Sequence, residues 1–89
     1  KDFGFKDQIQ RCSISIMNNI AEGFCRDSDA EFRQFLKISK GSTGELKSMY
    51  YVAEDLNYLP NELSIERRKL IQRLMNATSS FMKYLKPSK

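Results

Sequence analysis

The stretch that decides the fold is residues 28–57, SDAEFRQFLKISKGSTGELKSMYYVAEDLN. Its apolar and small residues recur at spacings of three and four without a break, which is the pattern of one buried face on an α-helix. That face comprises Phe32, Phe35, Leu36, Ser39, Ser42, Leu46, Met49, Tyr50, Ala53 and Leu56. A helix of this length spans roughly 45 Å at ~1.5 Å per residue, which is typical of a helical bundle.

The start and the middle of this helix carry separate signals. Ser28 followed by Glu31 is a capping box, in which the serine oxygen accepts a hydrogen bond from the Glu31 backbone N–H and the carboxylate folds back. In the middle, Gly41 and Gly44 each cost ~1 kcal/mol relative to alanine. We expect close approach of another helix to compensate for these glycines, although a kink or a ligand contact would produce the same pattern.

Two further helices flank the long one. The first covers about residues 5–22 with a wide apolar arc, and we expect Gly23 to end it in a left-handed conformation. The third covers about residues 64–85, with Ser64 as its N-cap and Pro87 as its stop signal. Because short loops between long helices make neighbours antiparallel, the sequence predicts an all-α fold, an antiparallel up-down helical bundle.

Length and composition narrow the range of functions. The 89 residues suit one small domain, residues 1–89, with 15 basic and 11 acidic residues and a net charge of +4. The sequence contains no histidine and two cysteines, Cys12 and Cys25, so most metal and acid–base chemistries lack their residues. We therefore expect no enzyme, no cofactor, no metal and no small-molecule substrate. No apolar run suits a membrane span or a signal peptide, so we expect a cytoplasmic protein without a membrane partner.

Two strings of residues are recognisable. The first is SIMNNIAEG at residues 15–23 and the second is FLKISKGS at residues 35–42, with Arg26 and Glu45 beside them. They resemble the bacterial four-helix bundle family whose founding members are encoded by intervening sequences inside 23S ribosomal RNA genes. Related proteins, including the accessory protein of diversity-generating retroelements, form pentameric barrels and associate with nucleic acid and a reverse transcriptase. The resemblance implies a bacterial homo-oligomer, a pentamer, with RNA or another nucleic acid as partner.

Four polar residues within or beside these strings are candidates for a common role. They are Asn19, Glu22, Arg26 and Glu45. We expect structural or interface roles, with hydrogen bonds between helix ends or across a subunit contact, because buried polar groups in proteins are hydrogen-bonded. Direct contact with RNA is the alternative role.

Members of the family carry another helix ahead of the segment that begins here at Lys1. We therefore expect three helices of a four-helix plan, with the first family helix missing because it was removed or is disordered. Three such helices leave an apolar groove, which a partner chain could also fill.

Positive charge is concentrated late in the chain. From residue 60 onward there are seven basic residues against two acidic ones, and a basic strip that includes a tyrosine also lies on one side of the long helix. The candidate nucleic-acid contacts are Arg33, Lys37, Lys40, Lys47, Tyr51, Arg68, Lys69 and Arg73. Lysine and arginine displace counterions from phosphates and a tyrosine stacks on an unpaired base, whereas the alternative interpretation is a solvated helix face.

These observations lead to one leading hypothesis and two alternatives. The leading hypothesis is a non-enzymatic, self-associating bundle that acts as a nucleic-acid-associated adaptor for RNA or an RNA-bound protein. The first alternative is a protein–protein interaction scaffold that binds no nucleic acid. The second is a metal-dependent nuclease using Asp27, Asp29 and Glu31, although acidic residues at a helix start have a simpler explanation in the helix dipole.

Overall fold

The computed structural model describes residues 3–85. Three helices cover them: α1 spans Phe3–Phe24, α2 spans Asp29–Asp55 and α3 spans Asn61–Tyr84. The predicted all-α fold is confirmed. Pro87, the expected stop signal of α3, lies outside the described residues, and α3 ends at Tyr84 with Leu85 in an extended conformation.

The helix α2 is the shared neighbour of the other two. Cys12 contacts Met49 and Gly23 lies against Phe35, so α1 runs antiparallel to α2. The same reversed order relates α2 to α3, as expected for an up-down bundle. Within the described chain, no Cα atom of α1 comes within 8 Å of a Cα atom of α3.

The resulting molecule is elongated and open. Its principal extents are 48 × 22 × 14 Å and its radius of gyration is 14.7 Å, whereas a compact domain of this length has a radius of gyration of about 12 Å. The buried core is correspondingly small. Its main cluster consists of Cys12, Ile16, Leu46, Tyr50 and Ile71, and Leu36, Ala53 and Leu85 are buried as well.

The small core leaves two apolar strips exposed. On α1 the strip comprises Phe3, Ile14, Met17 and Phe24, and on α3 it comprises Leu70, Leu74 and Phe81. Near these exposed residues of α3, Ile71, Thr78 and Leu85 are buried. Among the described elements, only α2 packs against α3, so the opposite side of α3 is not covered by a helix. These strips fit the expectation that three helices leave apolar surface open.

Gly23 has a different role from the one predicted. The helix α1 continues through it to Phe24, and no described glycine has a positive φ, so the prediction of a left-handed end at Gly23 is wrong. A Cβ atom at Gly23 would lie 2.7 Å from the Cβ of Phe35 and 2.8 Å from a ring carbon of Phe32. Glycine is therefore needed because α1 and α2 approach each other closely there.

The glycines in the middle of α2 do not mark such an approach. A Cβ at Gly41 would meet nothing within 4 Å, and one at Gly44 would only reach Met75 at 3.9 Å. The close contact is made instead by Ser39, which is 1% exposed and donates a hydrogen bond to the Ile16 carbonyl at 3.1 Å. The expectation that Gly41 and Gly44 mark a close approach of another helix is therefore wrong, and Ser39 lies at that approach instead.

The loop between α1 and α2 follows the predicted capping box with one change. The Ser28 oxygen accepts from the Glu31 N–H at 3.2 Å, as predicted. The Glu31 carboxylate accepts from the Asp27 N–H at 3.3 Å rather than from that of Ser28. Glu31, one of the three carboxylates in the nuclease alternative, thus has a structural role at the start of α2.

The loop between α2 and α3 contains a Schellman motif. Asn57 has a φ of 60°, and the Tyr58 N–H donates to the Ala53 carbonyl at 2.8 Å. The helix α3 then starts directly after Pro60, whose fixed φ suits a helix start and whose carbonyl accepts from Ser64. The prediction that Ser64 is the N-cap is therefore wrong. Ser64 is fully buried and donates a hydrogen bond to the Tyr50 carbonyl at 3.0 Å.

Candidate nucleic-acid interface

The predicted basic strip of α2 lies along its seam with α3. At one end of the seam Arg33 donates a hydrogen bond to the Met82 carbonyl. In the middle, the ammonium of Lys47 donates to the Gln72 side-chain oxygen at 2.6 Å. Near the other end, Arg68 reaches across to Glu54. Because the helices are antiparallel, late residues of α3 meet early residues of α2, and charges distant in sequence become neighbours.

A shallow groove of ≈ 230 Å³ opens on this seam. Its lining residues are Lys47, Tyr51, Ile65, Arg68, Lys69 and Gln72. Four of the eight predicted nucleic-acid contacts are thus brought together, two from each helix. We refer to these six residues as the seam groove.

Arg68 is the most constrained cation of the seam groove. Its guanidinium lies 4.0 Å from the centre of the Tyr51 ring and forms an ion pair with Glu54 at 3.0 Å. The side chains of Arg68 and Glu54 are only 16% and 18% exposed. The Arg68 Nε is buried without a hydrogen-bond partner. Partial burial, the ion pair and the ring together hold the guanidinium in one place.

Lys47 is also held in place, although less tightly. Its partner Gln72 donates in turn to the Asn76 side-chain oxygen at 2.9 Å, which makes a short chain of hydrogen bonds along α3. An ammonium that bonds to a neutral amide keeps its positive charge and has further N–H donors. Lys47 can therefore bind an anion without first breaking an ion pair.

The other four predicted contacts lie outside the seam groove. Lys37 is exposed and Lys40 is half-buried on α2, and Arg73 is exposed on α3. Arg33 is half-buried and already donates to a backbone carbonyl. The structure thus separates one gathered set of candidates from a set dispersed along the two helices.

Sequence reasoning missed three participants in this site. Glu54 stands three residues after Tyr51 and seven after Lys47, so helical spacing alone places it on the same strip. Gln72 and Ile65 carry no charge, and nothing in the sequence marks them as facing the strip. They are found only because the pairing of α3 with α2 brings them to the groove.

The predicted structural residues lie on the other side of the molecule. Asn19 donates to the Ser15 carbonyl at 2.8 Å, and the Ser15 hydroxyl lies 2.9 Å from that of Ser42 on α2. Glu22 and Arg26 form an exposed ion pair at 2.8 Å. The Arg26 guanidinium also lies over the Phe35 ring, 4.8 Å from its centre, so that it links the end of α1 to α2.

Glu45, the last of the predicted structural residues, influences a buried cysteine. Burial raises the pKa of the Cys12 thiol above its ordinary value of 9.0, and the Glu45 carboxylate raises that pKa further through its charge and a hydrogen bond. Cys25, by contrast, is exposed, and both cysteines are free.

A larger cleft of ≈ 680 Å³ lies at the end of the molecule where α1 begins. Four aromatic residues and two cations are among its lining: Phe3, Phe5, Tyr50, Tyr58, Lys6 and Arg67. Arg67 donates to the Tyr50 hydroxyl at 3.2 Å. Arg67 is one of the basic residues that follow residue 60, but their number does not predict this cleft.

Two further observations bear on what the described residues can do. No group of three or more histidine, cysteine, aspartate or glutamate side chains within residues 3–85 is arranged to hold a metal ion. None of the three helices, α1 to α3, is both long enough and apolar enough to cross a membrane.

Comparison with known proteins gives one match. The sequence model of the family described as 23S rRNA-intervening sequence protein matches residues 1–80. No curated protein and no solved structure matches the chain significantly. The match extends well beyond the two strings at residues 15–23 and 35–42 and confirms the resemblance to this family.

Proposed function

Because this chain belongs to the 23S rRNA-intervening sequence protein family, we propose that it is a non-enzymatic helical bundle that self-associates in the cytoplasm and binds RNA. The observation that carries the proposal is the seam groove. It gathers three cations and an exposed aromatic ring from two helices, and Glu54 beside it is already paired with Arg68.

The groove offers two kinds of contact to RNA. Lys47 and Lys69 are suited to phosphate oxygens, since binding there releases condensed counterions. Tyr51 presents a ring to a base. Arg68 acts mainly as a fixed support, because its charge is balanced by Glu54 and its guanidinium lies against the ring.

Self-association strengthens such a modest site. A ring of identical chains repeats the groove and converts weak single contacts into avidity. The exposed apolar strips on α1 and α3 support an association of chains, because apolar surface of this extent is stabilised when it is covered. The pentamer implied by the resemblance is part of this proposal, as is an adaptor role between RNA and a bound protein.

The test is the salt dependence of RNA binding by neutral variants. In the double variant Lys47→Gln with Lys69→Gln, we expect weaker binding to single-stranded RNA and a salt slope that falls by about 1.4, since each phosphate contact contributes about 0.7. Fluorescence anisotropy at several salt concentrations measures both quantities.

The matched control removes two cations from α1. Lys6→Gln with Arg11→Gln lowers the net charge by the same amount, and both residues are exposed and do not line the seam groove. If both double variants show the same loss of RNA affinity and the same decrease in salt slope, binding depends only on the net charge of the protein. The seam groove is then not the RNA-binding site.

A second function is favoured by a different observation. The exposed strips on α1 and α3 also suit a scaffold that binds only proteins. Light scattering that finds a stable oligomer, together with no RNA binding even at low salt, would support this function over the first.

A further inference from the structure

Tyr51 is placed differently from an ordinary surface tyrosine. It is 47% exposed, and the Arg68 guanidinium lies 4.0 Å from the centre of its ring. Arg68 is itself fixed by Glu54 and by partial burial. The ring therefore has a rigid cationic support, and little side-chain freedom is left to lose when something stacks on its exposed part.

The surroundings of the ring suit one nucleotide. Lys47 lies four residues before Tyr51 on α2, and Lys69 is next to Arg68 on α3, so ammonium groups from two helices line the same groove as the ring. The Arg68 guanidinium covers one face of the Tyr51 ring, which leaves the exposed part of the ring for a base. A planar, electron-rich ligand with anionic groups on either side matches these features together.

Paired RNA does not offer such a ligand. In a duplex the faces of the bases are covered by their neighbours, and proteins contact its phosphates and 2′-hydroxyls instead. An exposed ring between lysines contributes to binding only when a base is free to leave the stack.

From this geometry we propose that the seam groove binds an unpaired nucleotide, with its base stacked on Tyr51 and the flanking phosphates on Lys47 and Lys69. The proposal rests on the proposed function, because it specifies which form of RNA that site accepts. The protein therefore binds loops, bulges or single strands of RNA in preference to RNA duplexes.

The test compares a single-stranded RNA with a fully paired duplex. For Tyr51→Leu, which keeps an apolar side chain beneath Arg68, we expect about a tenfold loss of affinity for the single strand and no change for the duplex. Tyr51→Phe keeps the ring and should retain single-strand affinity. Tyr84→Leu is the matched control, since Tyr84 is 78% exposed and does not line the seam groove.

A spectroscopic variant keeps the test decisive if Tyr51→Leu does not fold. The sequence contains no tryptophan, so Tyr51→Trp introduces an indole whose emission reports on the groove alone. We expect single-stranded RNA to quench that emission and duplex RNA to leave it unchanged, with no quenching by either RNA for Tyr84→Trp.

The outcomes separate this inference from the proposed function. If Lys47→Gln with Lys69→Gln weakens binding while every Tyr51 variant binds both RNAs like the unchanged chain, the seam groove binds RNA without stacking, and the inference is wrong. If neither set of variants changes RNA binding, both proposals are wrong.

Discussion

The two seams of α2 differ in what holds them together. Against α1, the contact is close and made by small residues, with Ser39 bonded to the Ile16 carbonyl and Gly23 lying against Phe35. Against α3, the contact includes long polar side chains, such as Lys47 with Gln72 and Arg68 with Glu54. The α1–α2 seam is closed around Ser39 and Gly23 and opens into the larger cleft only where α1 begins, whereas the α2–α3 seam has a groove bordered by charges along it.

The difference follows from side-chain size. Small residues allow two backbones to approach, and the polar groups buried there are satisfied by backbone carbonyls. In the α2–α3 seam Ser64 makes a similar buried contact with the Tyr50 carbonyl, and long cationic residues border that contact with their charged ends near water. We therefore expect substitutions in the α1–α2 seam to change stability, and substitutions in the seam groove to change binding.

The largest effect on stability should come from the core beside the close seam. Ile16 is 5% exposed, so Ile16→Ala should lower the free energy of unfolding by about 3 kcal/mol through lost burial and a cavity. Ile38 is 53% exposed on α2 and lies outside the two apolar strips, and Ile38→Ala should change that free energy by less than about 0.5 kcal/mol. Urea denaturation measures both, and equal losses would contradict the assigned burial.

Substitution of two glycines tests how closely α1 and α2 pack, because the two changes in stability should have opposite signs. Gly23→Ala should destabilise by about 2 kcal/mol, because its Cβ would overlap Phe35 and Phe32. Gly41→Ala should stabilise by about 0.5 to 1 kcal/mol, because the Cβ meets nothing and alanine favours the helix. Thermal denaturation of both variants measures the signs, and a stabilising Gly23→Ala would show that the seam is not tightly packed.

In the other seam, loss of an acid should have a smaller effect on stability. Glu54→Gln leaves the partly buried Arg68 without its counter-charge, which should cost about 1 kcal/mol after allowance for solvent screening. The matched control is Glu22→Gln, whose partner Arg26 is exposed, and its effect should be below about 0.5 kcal/mol. If both changes cost the same in denaturant titrations, the ion pair between Arg68 and Glu54 is no more buried than a surface pair.

The smallest effect is a pH dependence from Cys12. Because its pKa is raised in the folded state, the native thiol keeps its proton when the unfolded one has lost it. The stability that Cys12 contributes is therefore fully present below its unfolded pKa, near 9.0, and is lost as the pH rises through the folded pKa.

Two cysteine variants measure this contribution. The difference in unfolding free energy between the unchanged chain and Cys12→Ala should fall as the pH rises past 9.0. Cys25→Ala replaces the exposed free cysteine and controls for the exchange of a thiol for a methyl group. A pH-independent difference for Cys12→Ala would show that the thiol ionises as freely in the folded chain as in the unfolded one.

Much of the fold follows from local patterns. The spacing of apolar residues in residues 28–57 predicts a helix that the structure gives as Asp29–Asp55, and Ser28 predicts its start. Errors occur where two signals compete. Gly23 suggests a helix end by its conformational freedom but is required for its lack of a Cβ. Ser64 suggests a cap, but Pro60 already starts α3 and the serine is buried against Tyr50.

The candidate site was predictable only in part. Spacing along α2 places Lys47 and Tyr51 on one strip, and charge counting identifies Arg68 and Lys69. Neither the helical spacing nor the charge count shows that these two pairs of residues line one groove, because the groove depends on the register between α2 and α3. Arg73 shows the limit of charge counting. It lies four residues after Lys69 on α3 but does not line the seam groove.

The sequence by itself determined the helices, the family and the excess of positive charge, because these depend on residue types and on spacings within one segment. Only the tertiary structure decided that α2 has a close seam on one side and a charged groove on the other. It also decided that Arg68 lies against Tyr51, and that apolar strips on α1 and α3 are exposed. The physical reason is that these features depend on distances between segments, which packing sets through side-chain volume and hydrogen bonds across the helices.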